Sequence, residues 1–306
     1  MTFEHGTLWR LVVEATERGL RLGALVPIPT GVVFIEEGRV RFLVRIMASL
    51  ARKKEERKRQ DAEEAAGKIV NPFLPFDQDL FVADVSDTHV ALLNKFNVVD
   101  HHLLIVTRHY EEQETLLTLR DFDALWRCMS EYESLGFYNG GVEAGASQKH
   151  KHLQVVPLPL SPHGPVVPVE PLLAAASTGD DCLGFAPGFP FLHAFARLRP
   201  GIARSPVAAA QETFSLYGCM LTSLGMSAPE PNEKRLVPQS MPYCLLVTRE
   251  WMLLVPRSRE HFEDISLNSL AYAGSFFVTT DEQFLRLQSA GPMEVLASVA
   301  LPIQKA

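Results

Sequence analysis

Gly145-Ala-Ser-Gln-Lys-His-Lys-His-Leu-Gln154 is the stretch on which the reading of this chain turns. It sets His150, His152 and Gln154 two residues apart, followed by Val155, Val156 and Pro157. In a strand, residues i, i+2 and i+4 lie on one face, about 6.8 Å apart per step. The spacing therefore predicts a strand with two imidazoles and a carboxamide in a row on its polar face, while Leu153 and Val155 enter the core behind. A ring nitrogen held this way can attack a phosphorus while neighbouring donors hold its oxygens. A half-buried strand that merely turns polar residues to water fits His-x-His equally well. The upstream residues separate the two readings, because Tyr138-Asn139-Gly140-Gly141, then Gly145 and Ser147, lead glycines and small side chains into the polar strand. With no Cβ in the way, backbone N–H groups of such a loop can approach an anion.

The pattern Asn139…Ser147…His150-x-His152-x-Gln154 resembles, position by position, the active-site segment of the histidine triad superfamily. The branch is the one holding galactose-1-phosphate uridylyltransferase (GalT) and the dinucleoside polyphosphate phosphorylases. Asn71-Pro-Phe-Leu-Pro-Phe-Asp77, Leu93-Asn-Lys-Phe-Asn97, His102-Leu-Leu-Ile-Val-Thr107, Phe137-Tyr-Asn-Gly-Gly141 and Trp251-Met-Leu-Leu-Val-Pro-Arg-Ser258 look like ATP adenylyltransferases (diadenosine tetraphosphate phosphorylases). The likeness runs from about residue 40 to near the C-terminus and is weakest between 159 and 207.

This resemblance implies that His152 is the nucleophile that becomes nucleotidylated, that Gln154 holds the α-phosphate and that His150 orients the site. Asn139 and Ser147 would contact the phosphates, with Gly145 and Gln148 of the same loop on the substrate too. Ser49-Leu-Ala-Arg-Lys53 resembles the segment whose lysine meets the polyphosphate, with Lys54 as the competing lysine. Asn94, eight positions before His102, falls at the ribose-contacting position, where many relatives carry Asp; it can instead cap a turn. His102 itself reads at least as well as a satisfied core histidine. The implied reaction converts diadenosine tetraphosphate and phosphate to ATP and ADP by double displacement through an adenylyl-His152 intermediate. Diadenosine polyphosphates, ATP, ADP and phosphate are the expected partners. No covalent cofactor is expected; a divalent cation such as Mg2+ would ride on the polyphosphate, because no dedicated carboxylate cage stands out.

Glutamine at 154 bears on the type of chemistry. Hydrolytic members of the superfamily carry a third histidine there, which can protonate a leaving group and later activate water. An amide exchanges no proton at neutral pH and can only donate and accept hydrogen bonds. Losing acid–base help is tolerable when the leaving group is a nucleotide phosphate and the acceptor another phosphate. Transfer, with water a poor competitor, is the expected outcome.

Composition sets outer bounds. The chain has 306 residues, 47% hydrophobic and 21% charged, enough for one large or two moderate domains with a real core. A formal charge of −7 argues against broad nucleic-acid binding, which needs a basic footprint. Cys128, Cys182, Cys219 and Cys244 are scattered without a C-x-x-C pair, so reduced thiols are expected rather than a disulfide framework. The uridylyltransferase relatives use such a pair for zinc, so its lack counts against that rival and against a metal at His150. No apolar run reaches the ~18 residues of a membrane span, and the N-terminus lacks the pattern of a signal peptide. The cytoplasm is therefore the default.

Along the chain, residues 7–21 read as an amphipathic helix that Thr7 could cap. Residues 32–35 and 39–46 read as a strand pair, and 80–83, 90–93 and 103–107 as strands sharing an antiparallel sheet with the His152 strand. Residues 119–135 read as a helix with Phe122, Leu125, Trp126 and Met129 on its apolar face. Residues 157–206 are rich in Pro, Ala and Gly with little period, as a surface excursion or a cover over the site would be. Residues 243–247 and 251–255 look like a faded copy of 90–107 without His-x-His, so one active site per chain is expected. Cys244 stands where related phosphorylases usually carry Asn, and Arg257 and Ser258 are secondary candidates for substrate contact or for the surface. Residues 266–278 read as a helix or strand closing the second half-sheet. The expected fold is α+β, histidine triad/GalT-like: two related halves of antiparallel sheet and packed helices. The expected division is 1–160 as the catalytic half, 161–206 as a connecting segment and 207–306 as the ATP adenylyltransferase-like half. A hexose-1-phosphate uridylyltransferase is the nearest rival in chemistry, and a catalytically idle nucleotide sensor is the rival from another class.

Overall fold

Short strands that are apolar on both faces dominate the middle of the chain, and such strands need cover on both sides. A computed structural model describes residues 2–47, 71–179, 183–229 and 236–303. Helix α1 (Leu8–Leu22) is followed by the hairpin β1 (Thr30–Glu37) and β2 (Val40–Met47). Then come β3 (Phe81–Asp84), β4 (His89–Leu93), β5 (Leu103–Thr107), α2 (Leu119–Met129), β6 (Ser134–Gly140) and β7 (His152–Pro157). The short helix α3 (Glu170–Leu173) and strands β8 (Ser177–Thr178), β9 (Leu183–Phe185) and β10 (Ala194–Arg197) precede the long helix α4 (Pro206–Ser223). The chain continues through β11 (Tyr243–Val247), β12 (Trp251–Pro256), β13 (His261–Phe262), β14 (Ile265–Ser266), α5 (Ser269–Tyr272), β15 (Ser275–Val278), α6 (Asp281–Ala290) and α7 (Pro292–Val299).

Ten strands form one sheet in the order β3-β4-β5-β7-β6-β11-β12-β10-β9-β8, every neighbouring pair antiparallel. The expected α+β fold with antiparallel sheets is what the chain adopts. Its two half-sheets join edge to edge at β6 and β11, where Gly136 pairs with Val247 and Gly140 with Tyr243. The proline- and alanine-rich stretch supplies β8, β9 and β10, which extend the far edge.

Alternation along each strand divides the side chains between two cores. Leu153, Val155, Tyr138, Leu245 and Val247 pack with α1, α2 and α4 on one face. Phe137, Val156, Leu246 and Leu253 pack on the other with β1, β2, β15 and α5 to α7. Trp126 donates its indole N–H to the Thr213 hydroxyl at 2.8 Å, joining α2 to α4. A third, smaller apolar cluster of Phe73, Val90, Leu92, Leu104 and Val106 covers the near edge of the sheet.

Three local expectations change. Thr7 occupies the N-cap position of α1, but its hydroxyl donates to the Glu4 carbonyl. Glu131 does the capping, accepting from Leu8 N–H at 3.1 Å and Gly6 N–H at 3.0 Å. This cap arrives from 123 residues away, so no local pattern reveals it. Helix α2 stops at Met129 and Leu135 belongs to β6, since apolar periodicity alone cannot separate a helix from the apolar strand after a four-residue turn. Strand β15 does not close the second half-sheet; it pairs parallel with β2 in a separate three-stranded sheet. Gly274 immediately before it has φ +88°, and a Cβ there would lie 2.7 Å from Pro168 Cβ, so the turn into β15 requires glycine.

Candidate active site

The ladder of β5 and β7 brings the polar row together. Val106 stands opposite His152 and Leu104 opposite Gln154, so His102 reaches the same face from just before β5. Gln154 stands opposite Phe137 on the β6 side.

His152 is 4% exposed. Its Nδ1 lies 2.8 Å from the His150 carbonyl, an acceptor only, so Nδ1 carries the proton and donates. Nε2 is then the nitrogen with the lone pair, as a nucleophile requires. Burial disfavours the imidazolium and outweighs the His150 carbonyl bond, pulling the pKa down to about 4. At neutral pH the ring is therefore neutral and ready to attack.

The His150 ring is held from both of its nitrogens. Its Nε2 donates to the Thr107 carbonyl at 2.9 Å, with the His109 carbonyl at 3.2 Å. Its Nδ1 accepts from the Asn71 amide at 3.1 Å. Phe73, two residues after Asn71, packs edge-on against His150 and tilted against His152, with ring centroids 5.7 and 5.4 Å away. Burial lowers the His150 pKa against the pull of its carbonyl partners.

Gln154 is set by a residue that sequence reasoning left between core and site. His102 Nε2 donates to Gln154 Oε1 at 3.0 Å. Its Nδ1 lies 3.3 Å from Asn94 Nδ2, a donor. With its oxygen bound to His102, the Gln154 amide turns its NH2 to the opposite side, as a donor to a phosphate oxygen must be turned. Asn94 Oδ1 accepts from Phe96 N–H at 3.3 Å, so this residue caps the turn while steadying His102.

Asn139 is buried, and its Oδ1 accepts from Ser269 N–H at 3.0 Å, tying β6 to the start of α5. The loop after it behaves differently from expectation. Gly141 N–H donates to Asn139, Ala144 and Ala146 N–H to Gly141, and Gly145 N–H to Val142. These amides serve the loop rather than facing an anion. Gly145 is glycine for another reason: φ is +88°, and a Cβ would sit 2.7 Å from Asn268 Cβ. Ser147 is exposed on the loop surface and Gln148 is half-buried beside it. Lys53 and Lys54 lie outside the described residues.

Cys244 and Arg257 form a structural pair instead of a substrate contact or a surface. Arg257 is 2% exposed and donates to Cys244 Sγ at 3.2 Å and to the carbonyls of Leu267 at 3.0 Å, Arg259 at 2.8 Å and Val299 at 3.1 Å. Ser258 Oγ donates to the Ala300 carbonyl.

Behind the row, Lys151 crosses to the opposite face between the two histidines. It is fully buried, with Nζ 3.1 Å from Asp121 Oδ2, 3.4 Å from Glu111 and 3.0 Å from the Leu116 carbonyl. Asp121 completes the capping box of α2 with Thr118 and accepts from His89 Nε2 at 3.1 Å. Burial works to raise the Asp121 pKa, but Lys151, His89 and Thr118 outweigh it and hold the carboxyl far below the carboxylate range.

Neutral buried histidines make the fold acid-sensitive. His152, His150 and His193 all have pKa values lowered by burial. The unfolded chain then takes up protons first as pH falls below ~6.5, so stability is full above that value and erodes toward the folded-state values. For His152 alone the expected loss between pH 6.5 and 4 is about 3 kcal/mol. Melting temperature followed against pH should fall across this window, and His152→Gln should remove part of the fall; an equal fall in the variant would contradict the assignment.

Among the described residues there is no group of three or more His, Cys, Asp or Glu side chains that could hold a metal ion. Nor is any described helix long and apolar enough to cross a membrane.

Residues 1–175 match the Ap4A phosphorylase N-terminal domain, and residues 187–302 match the ATP adenylyltransferase C-terminal domain. The chain belongs to the Ap4A phosphorylase (ATP adenylyltransferase) family. Among its relatives in Saccharomyces cerevisiae (strain ATCC 204508 / S288c), Protein APA1 is 27% identical over 265 residues, covering 80% of this chain and 78% of the relative. Diadenosine 5',5'''-P1,P4-tetraphosphate phosphorylase 2 of the same yeast is 27% identical over 271 residues, with the same coverage of 80% and 78%. The crystal structure of yeast Ap4A phosphorylase Apa2 in complex with AMP shares the fold: TM-score 0.77 at 20% identity, covering 100% of this chain and 99% of that one.

Proposed function

We propose that this chain cleaves diadenosine 5',5'''-P1,P4-tetraphosphate with phosphate to give ATP and ADP, carrying the adenylyl group on His152 between two displacements. The observation that carries this reading is the tautomer of His152, with Nδ1–H on the His150 carbonyl and the lone pair on Nε2. A crystal structure of a relative with the same fold is described as yeast Apa2 in complex with Ap4A, which supports the substrate class.

In the first displacement Nε2 attacks the α-phosphorus, the P–N bond forms and the P–O bond to the β-phosphate breaks, releasing ATP. In the second, an oxygen of inorganic phosphate attacks the same phosphorus and the P–N bond breaks, releasing ADP and restoring the neutral ring. Both leaving groups are weak bases, so neither step needs a proton from position 154. Gln154 supplies its amide NH2 to the phosphate oxygens, held in that sense by His102. Phe73 packs against both histidine rings and belongs to the buried apolar cluster with Leu92, Leu104 and Val106. Asn139 and Ser147 are assigned to the phosphates by their place in the motif, Lys53 to the polyphosphate by the likeness of its own segment, and Gly145 and Gln148 to the substrate; a divalent cation would enter with the polyphosphate. Cys128, Cys219 and Cys244 are free thiols, which supports a reducing, cytoplasmic setting.

Gln154→His tests the role of the amide. Restoring an acid–base group at that position should raise hydrolysis relative to phosphorolysis, by up to the ~100-fold or more that such a group typically contributes. The ratio of ADP to AMP formed in the presence of phosphate measures it. An unchanged ratio in a variant that still turns over would show that Gln154 does not govern the choice of acceptor. Incubation with UDP-glucose tests the uridylyl rival: no uridylyl group should appear on His152.

A further inference from the structure

Strands β6 and β7 part where the nucleophile sits. Their ladder runs from Ser134 opposite Pro157 to Phe137 opposite Gln154 and ends there. Yet β6 continues to Gly140 and β7 begins at His152. Gln113, 2% exposed, fills the gap. Its Oε1 accepts from the His152 N–H at 2.8 Å. Its Nε2 donates to the Asn139 carbonyl at 2.9 Å and to the His152 carbonyl at 3.3 Å. The main chain of Gln113 is equally fixed, its N–H donating to Lys149 at 2.7 Å and its carbonyl accepting the Tyr138 hydroxyl. The side-chain amide thus takes the place that a partner strand's peptide would hold in a continuous antiparallel ladder. On its other edge β6 remains paired with β11 through Gly140.

We propose that Gln113 is a positioning residue for the transfer: a peptide surrogate inserted between β6 and β7 that fixes the main chain of His152 and thereby the aim of Nε2. The proposal rests on His152 being the nucleophile. The ring's Nδ1–H is bound to a carbonyl two residues back, so the ring moves with the backbone that Gln113 holds. Attack geometry is unforgiving, and a ~1 Å misplacement costs on the order of 100-fold in rate. A hydrocarbon at 113 would leave the His152 N–H buried without a partner, and the Asn139 carbonyl with the Gly141 N–H as its remaining donor. A carboxylate would still accept from the His152 N–H, but would oppose the Asn139 carbonyl and bring negative charge beside the ring. The charged and titratable groups already around that ring are His150 just before the strand, His102 on the same face beside Gln154 and, on the opposite face, Lys151 with Glu111 and Asp121.

Gln113→Met and Gln113→Glu test this in two ways. The rate of adenylyl-enzyme formation at saturating dinucleotide is measured per active site, sites being counted by the labelled AMP bound at end point, so that misfolded protein drops out. Both variants should be on the order of 10- to 100-fold slower with KM little changed, because neither substitution removes a side chain assigned to the substrate. Separately, the imidazole of His152 is titrated by NMR without ligand, where Gln113→Glu should raise its pKa and Gln113→Met should not. Per-site rates equal to wild type in both variants, with an unmoved titration in Gln113→Glu, would overturn the proposal and leave Gln113 a purely structural residue. If the wild-type protein forms no adenylyl-enzyme, the reading of function fails instead, and the titration alone then decides whether Gln113 controls the ring.

Discussion

Replacing His152 by alanine should abolish phosphate-dependent cleavage of diadenosine tetraphosphate, with a loss on the order of 10,000-fold or more, the scale seen when a nucleophile is removed from a cooperating set of groups. The expected selectivity of this loss follows from the contacts. The imidazole makes one side-chain hydrogen bond, to the His150 carbonyl, while the His152 backbone is held independently by Gln113. Nucleotide affinity should therefore remain near that of the intact protein, since the His102–Gln154 pair and the apolar cluster around Phe73 stay in place. Binding of AMP measured by calorimetry, beside turnover of the dinucleotide, separates the two effects. A variant that binds AMP normally and retains more than about 1% of turnover would point to direct attack by phosphate and not to a double displacement.

The second large effect concerns stability. Asp121→Asn should destabilise the protein by about 3–5 kcal/mol, because it leaves the buried Lys151 ammonium without its close carboxylate. Lys151 and Asp121 are essentially inaccessible to solvent, so water cannot replace the lost partner. Glu111, at 3.4 Å and partly exposed, offers weak compensation. Removing both charges with Asp121→Asn and Lys151→Met should recover much of the loss, since an apolar replacement of a buried pair is often close to neutral. Denaturant unfolding of the single and double variants measures the difference. A single variant within 1 kcal/mol of wild type would show that the ammonium is already neutral or solvated.

The catalytic row was legible in the sequence because its logic is local. His152 and Gln154 share a face by the two-residue period of a strand, as the β5–β7 ladder shows, whereas His150 lies before the strand begins and meets His152 across the Phe73 ring. The antiparallel hairpins were legible from their apolar runs, as with β4–β5 and β11–β12. What supports the row was not. Gln113 lies in the run Glu111-Glu112-Gln113-Glu114, which carries no motif, and 39 residues separate it from the His152 it binds. His102 was visible as a histidine next to a strand, but its bond to Gln154 depends on the sheet order placing β5 beside β7. Glu131, which caps α1, and Arg257, which holds four carbonyls and a thiol together, are likewise products of tertiary contact. The glycine-rich loop shows the converse error. Small residues suggested open amides, whereas Gly145 is dictated by its positive φ and its packing against Asn268.

The covalent state of His152 is the most direct readout of the double displacement. Incubating the protein with diadenosine tetraphosphate in the absence of phosphate, followed by peptide mass spectrometry under alkaline conditions, should find one adenylyl group on His152. Adding phosphate should then discharge that group as ADP. Turnover without such an adduct, or an adduct borne by any other residue, would contradict the account.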